Sequence, residues 1–135
     1  MTIPTLYKLV GASEWDAARA EGVYRGSEHD RKDGFIHLST AAQIAETART
    51  HFEGVSDLVL LKIDAEMLEK LHAPNNESLA ASQQSDVPPL RWEPSRGGEL
   101  FPHLYALLPA SAVRDVTPAP LADDGMPIVP SDLPS

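Results

Sequence analysis

The chain has 135 residues, a formal net charge of −9, 42% apolar residues and no cysteine. That size and composition suit one soluble domain with one core. The charge excludes a broad grip on nucleic-acid phosphates, and the lack of cysteine excludes disulfides, thiolate catalysis and cysteine-based zinc sites.

No apolar run approaches the ~18–20 residues that span a bilayer, and the first five residues lack the basic and apolar regions of a signal peptide. A cytoplasmic setting is expected. Thr5 to Val10 reads as an opening strand ended by Gly11. Ser13 with Asp16 three residues on predicts an N-cap for a helix over Glu14 to Ala20, with Gly22 at its C′ position. Val23 to Asp33 is polar and reads as a loop with turn points at Gly26 and Gly34.

Phe35 to Leu38 is a strand by alternation: Ile36 and Leu38 point one way, Phe35, His37 and Ser39 the other. Thr40 with Gln43 forms a capping box for a helix ending at Gly54, its apolar face being Ala41, Ile44, Ala45, Ala48 and Phe52. Ser39 and Thr40 therefore stand at a strand-to-helix junction, where free backbone N–H groups favour anions. Leu58 to Ile63 is a near-continuous apolar run, expected as a central strand covered on both faces. Asp64 caps a short helix through about Leu71.

Residues 73–89 lack periodicity and read as a mobile loop inserted in a domain spanning residues 1–116. Leu90 to Glu93 is a short strand stopped by Pro94, and Ser95 to Gly98 is a loop. His103 to Leu108 is the next strand, with His103, Tyr105 and Leu107 on one face and Leu104, Ala106 and Leu108 on the other. Ala112 to Val116 is a last edge strand. From residue 117 to 135 the chain is acidic and proline-rich, with no basic residue, and reads as a disordered or loosely docked tail.

Two segments concentrate residue types that do chemistry: residues 34–40 and residues 90–105. If their apolar residues face the core, His37, His103, Ser39 and Tyr105 share the opposite side and line one groove, provided the strands are neighbours. The structural alternative for each histidine is a hydrogen bond to a backbone carbonyl. Arg91 and Glu93 alternate on one face, either as a solvated ion pair or with Glu93 accepting from a substrate hydroxyl. Trp92 reads as core or pocket wall. In Ser95-Arg96-Gly97-Gly98 the glycines let N–H groups converge on an anion and the guanidinium can fork to a phosphate, the alternative being a plain turn. His37, His103 and Glu93 also offer two imidazoles and a carboxylate to a metal, but no local metal-binding spacing supports it, so no metal site is assigned. A serine hydrolase has no Gly-x-Ser-x-Gly to stand on.

These residues resemble the bacterial domain-of-unknown-function 952 family. The matching pieces are Tyr7-Lys8-Leu9, Trp15, residues 22–27, residues 33–40 with Gln43, Thr47 and Phe52, then Leu58-Val59-Leu60, residues 91–98 and residues 101–105. The resemblance covers about Leu6 to Val113. It implies an α+β fold similar to the ADP-ribosyltransferases and RNA 2′-phosphotransferase: a small, bent, split β-sheet with two to three helices and a cleft for NAD. It further implies that Leu38-Ser39-Thr40 is a serine-type strand motif and that Phe35 or Tyr105 stacks on nicotinamide. In the same reading Arg96, beside Gly97, holds a phosphate, and Glu93 is the candidate carboxylate. The leading expectation is an enzyme, active or degenerate, that binds NAD or another nucleotide-like ligand. His37, Glu93 and His103 would be its catalytic residues, and Phe35, Ser39, Thr40, Arg96, Gly97 and Tyr105 would bind the ligand. The alternatives are a non-catalytic module for a small anionic ligand or a protein, and a metal-dependent enzyme using His37, His103 and Glu93.

Overall fold

A computed structural model describes residues 5–69, 90–95, 98–130 and 133. The fold is α+β, with three antiparallel sheets and four α-helices among the described residues rather than two to three. The largest sheet has the order β4-β1-β5-β9, formed by Ser39–Thr40, Leu6–Gly11, Leu58–Ile63 and Val113–Ala119. A second sheet has the order β3-β7-β6, formed by Ile36–His37, Glu99–Leu104 and Leu90–Ser95. Val23–Tyr24 (β2) and Leu108–Pro109 (β8) make a short ribbon.

Alternation explains why β1 and β5 lie at the middle of the four-stranded sheet, since successive side chains leave on opposite faces. Leu6, Val10, Leu61 and Ile63 join one core with Trp15 and Leu68, while Tyr7, Leu9, Leu58 and Leu60 join a second with Ile44 and Ala48. Both faces are covered, as the apolar run over residues 58–63 predicts. Ile36, Leu38, Leu90 and Leu104 from the other sheet share the first core, so the two sheets pack through it. The expected single core is therefore two, separated by the central sheet.

The helices follow their caps. α1 spans Ala12–Glu21, two residues earlier than Ser13 capping predicts: Gly11 is the N-cap, and its backbone N–H donates to Glu14 Oε1 at 3.3 Å. Gly22 ends the helix in the left-handed conformation at φ 98°, as expected. The polar segment after it is not a loop. It contains β2 and the helix α2, Glu28–Asp33, whose N-cap Ser27 accepts from the Asp30 N–H at 3.1 Å while the Ser27 N–H donates to Asp30 Oδ2 at 2.9 Å. That reciprocal pair is a Ser-x-x-Asp form of the capping box. α3 spans Ala41–His51, three residues short of Gly54, with Gln43 Oε1 accepting from the Thr40 N–H at 3.0 Å. Ala45 is exposed, and Gln43 takes a buried place instead. α4 spans Ala65–Glu69, capped by Asp64, whose Oδ1 accepts from the Glu66 and Met67 N–H groups.

Three strand boundaries also move. Pro94 does not stop β6; it pairs with Leu100 on the edge of its sheet, where a missing N–H costs no ladder bond. Trp92 on that strand is 38% exposed, so it is neither core nor a closed pocket wall. β7 covers residues 99–104 rather than 103–108, leaving Tyr105 just beyond it. β9 is the expected edge strand but runs to Ala119, so the tail boundary placed at residue 117 falls inside it. Further on, the Gly54 N–H donates to the Gly125 carbonyl at 2.7 Å, and Val129 packs on the second core. The expected loop at residues 73–89 lies outside the described residues.

Candidate functional site

The chain crosses from one sheet to the other within three residues. His37 belongs to β3, Ser39 to β4, and Leu38 between them is buried in the first core while its N–H donates to the Pro102 carbonyl at 3.0 Å. In β3 and β7, His37 and His103 are direct antiparallel partners, and their rings meet edge-on with centroids 5.7 Å apart. The two motif strands are neighbours, as the groove requires. The burial of Ile36, Leu38, Leu104 and Ala106 puts both histidines on the other face.

The space they meet is a cavity of about 680 Å³. Its walls come from β1, the first turn of α1, α2, α3 and both motif strands. His29, His37, His51 and His103 all line it, together with Ser39 and Thr47. His29 and His51 are functional candidates that the sequence reading missed. His29 could have been found from the Ser27–Asp30 capping box, which makes residues 28–33 a helix and sets His29 and Asp33 one turn apart. His51 carries no such local signal.

His103 is 6% exposed and held on three sides. Its Nδ1 lies 2.7 Å from Glu93 Oε1, and the Phe35 ring stacks on it at a centroid distance of 4.1 Å. The Tyr105 hydroxyl donates to the same Glu93 oxygen at 2.7 Å, and the Arg91 guanidinium lies 4.2 Å over the Tyr105 ring. β6 places Arg91 and Glu93 two residues apart so that both reach this cluster. Burial disfavours the Glu93 charge, but hydrogen bonds from His103 and Tyr105, with the charges of His103 and Arg91, bring its pKa below the usual carboxylate value. Burial, then the Glu93 hydrogen bond and charge, push the Tyr105 phenol up to about 12.

His37 has a different support. Its Nδ1 lies 2.6 Å from Asp30 Oδ1, and its Nε2 lies 2.9 Å from Asp33 Oδ2. Asp30 is 1% exposed. It also accepts from the His37 and Ser27 N–H groups and pairs with the buried Lys8 ammonium at 3.0 Å. Burial works against its charge, yet the His37 hydrogen bond, Lys8 and the two N–H groups together hold it well below the usual carboxylate range. Lys8 in turn donates to the His37 carbonyl at 2.9 Å.

The expected groove is only partly assembled. His37, His103 and Ser39 line the cavity, whereas Glu93, Tyr105 and Phe35 pack behind or beside His103 and are not among its walls. The Ser39 hydroxyl is 3.0 Å from the Thr47 hydroxyl, and the Thr40 N–H already serves Gln43, so that N–H is not offered to an anion. His37 and His103 each face their own carboxylate instead of sharing Glu93, so the two-histidine set with Glu93 does not converge as a metal site. Arg96 and Gly97 lie outside the described residues.

The family described as protein of unknown function (DUF952) matches residues 9–116. The chain belongs to that family. It is similar to the crystal structure of protein CC0527 from Caulobacter crescentus, with 41% identity over 92% of this chain and 93% of that one and a TM-score of 0.76. The solution NMR structure of the same protein gives 41% identity over 93% and 92% of the two chains and a TM-score of 0.71. No curated protein matches the chain. No helix among the described residues is long and apolar enough to cross a membrane.

Proposed function

We propose that this DUF952 protein is an enzyme that binds a small polar, nucleotide-like molecule in the histidine-lined cavity and uses His103 as a general base or acid. The observation that carries the reading is the Glu93–His103 pair at 2.7 Å, with His103 on the cavity wall. With Nδ1 donating to Glu93, the neutral ring keeps its lone pair on Nε2, the nitrogen that would take a proton from a bound hydroxyl or water. A carboxylate behind an imidazole fixes its tautomer and stabilises the imidazolium that forms, the same division of labour as in a catalytic triad. A cavity of about 680 Å³ falls in the ordinary range of small-molecule sites.

In the finer form of this reading the fold is ADP-ribosyltransferase-like, the ligand is NAD and the reaction is a transfer. What supports it is the pairing of the two motif strands, the bend between the two sheets at Leu38, and Ser39 on the cavity wall. Phe35 and Tyr105 each have one ring face covered already, by His103 and Arg91 respectively. In this reading the imidazoles take over contacts with the ligand from those two rings. A cytoplasmic setting accords with the cysteine-free sequence.

Calorimetric titration with NAD, followed by assay of released nicotinamide, tests the reading. Binding with release that falls by about 10²–10⁴-fold in His103→Ala, the usual contribution of a general acid–base, is the expected result. Binding without release supports a non-catalytic ligand module instead. No binding to NAD or to a nucleotide panel, or turnover unaffected by His103→Ala, overturns the proposal.

A further inference from the structure

We propose that His29, Asp33 and His37 form a binding site for a divalent transition metal, zinc by chemistry, on the wall of the cavity. The ligand atoms of the three side chains all lie within 4.8 Å of one another. Asp33 Oδ2 is 2.9 Å from His37 Nε2 and 3.6 Å from His29 Nε2. Donor atoms around a tetrahedral zinc with bonds of ~2.0–2.2 Å stand roughly 3.3–3.6 Å apart, which the His29–Asp33 separation meets and the His37–Asp33 separation reaches with an opening of about half an ångström.

Local structure fixes this spacing. His29 and Asp33 are four residues apart on α2, hence on one face, one turn apart. Gly34 then reverses the chain in the left-handed conformation at φ 88°, and β3 returns His37 to stack on His29 with ring centroids 4.5 Å apart. A stacked pair presents its Nε2 atoms side by side toward the same carboxylate.

Asp30 supplies an independent observation. Metal-bound histidines characteristically donate their second nitrogen to a carboxylate, which fixes the tautomer and aims the ligating nitrogen. His37 Nδ1 does so at 2.6 Å to a carboxylate that is 1% exposed and anchored by Lys8 and two backbone N–H groups. His37 Nε2 lies 2.9 Å from Asp33 Oδ2. A proton can bridge that contact, and a metal ion bound also by His29 would take the proton's place.

Two imidazoles and one carboxylate suit zinc, whereas magnesium and calcium prefer all-oxygen sets. Three protein ligands leave coordination positions open, and His29 and His37 both line the cavity, so the open positions face the space where a ligand would bind. The inference stands apart from the role given to His103, which is held by Glu93 and not by this triad.

The test is titration of tag-free, chelator-treated protein with zinc chloride by calorimetry, with cobalt(II) absorption as a spectroscopic check. The expected result is one equivalent bound per chain and visible cobalt bands of a nitrogen–oxygen site. His29→Ala and Asp33→Asn alter exposed positions of a surface helix, so the fold survives them. Each should weaken zinc binding by more than the ~10–100-fold that outer partners of a ligand are worth, while His103→Ala leaves it unchanged. Absence of zinc binding, or binding that survives both variants or depends on His103, overturns the proposal.

Discussion

Replacing Asp30 by alanine tests how the site is held. The carboxylate is 1% exposed and accepts from two backbone N–H groups, the His37 ring and the Lys8 ammonium, itself only 7% exposed. After Asp30→Ala, Lys8 keeps its hydrogen bond to the His37 carbonyl at 2.9 Å but loses its counter-charge. Breaking a buried pair by removing one partner costs ~3–5 kcal/mol, because the surviving charge is left uncompensated. The two unpaired N–H groups add ~1–3 kcal/mol each where water cannot reach them. Relaxation and water entry make the lower end of the summed range the expectation, so a loss of about 5 kcal/mol is predicted. Urea unfolding of both proteins in the presence of a chelator measures it, with the slope checked to be unchanged so that the midpoints report stability. The double variant Lys8→Met/Asp30→Ala should recover part of the loss, since replacing both members of an ion pair is far milder than orphaning one. A loss under ~1 kcal/mol for Asp30→Ala, the scale of an exposed pair, would refute the reasoning.

Two further outcomes follow from the same geometry. The folded pKa of Glu93 lies below its ordinary value of 4.5, so its charge stabilises the fold above that value and the contribution is lost as pH falls through the lowered folded pKa. The stability difference between the protein and Glu93→Gln should therefore be largest near neutral pH and shrink below about pH 4.5, as chemical unfolding at a series of pH values will report; a difference that grows on acidification would contradict the assigned hydrogen bonds. Gly26 and Gly22 both have positive φ, 97° and 98°, but a Cβ on Gly26 would stand 3.0 Å from Asp30 Cβ whereas one on Gly22 meets nothing within 4 Å. Alanine at Gly26 should cost more than alanine at Gly22, where only the ~1–2 kcal/mol of left-handed strain applies, and equal thermal midpoints for the two variants would count against the close approach.

Much of the fold was legible because local chemistry decides it. The apolar run over residues 58–63 could only be a covered strand, and it is the strand next to β1 in the middle of the larger sheet. The Thr40–Gln43 capping box opened α3 where expected because both partners lie within one turn. Strand alternation put His37 and His103 on the face away from Ile36 and Leu104, since the side-chain period of two leaves no choice. The misplaced elements are those where two local signals competed. Ser13 had the better capping side chain, but β1 continued to Gly11 and Glu14 reached back to its N–H. Pro94 signals an end from sequence alone, and only its place on a sheet edge removes the penalty.

The sequence by itself determined which residues could do chemistry and which face each would take, because residue type and period are local properties. Tertiary structure alone decided their partners. Asp30 lies 22 residues from Lys8, and Glu93 lies ten from His103, so neither pairing follows from spacing. His29 and His51 come to the same cavity only because α2 and α3 pack around β1 and the two motif strands. The division has one physical cause: hydrogen bonds within a turn are set by the chain itself, whereas contacts between elements are set by how the two cores close around the central sheet.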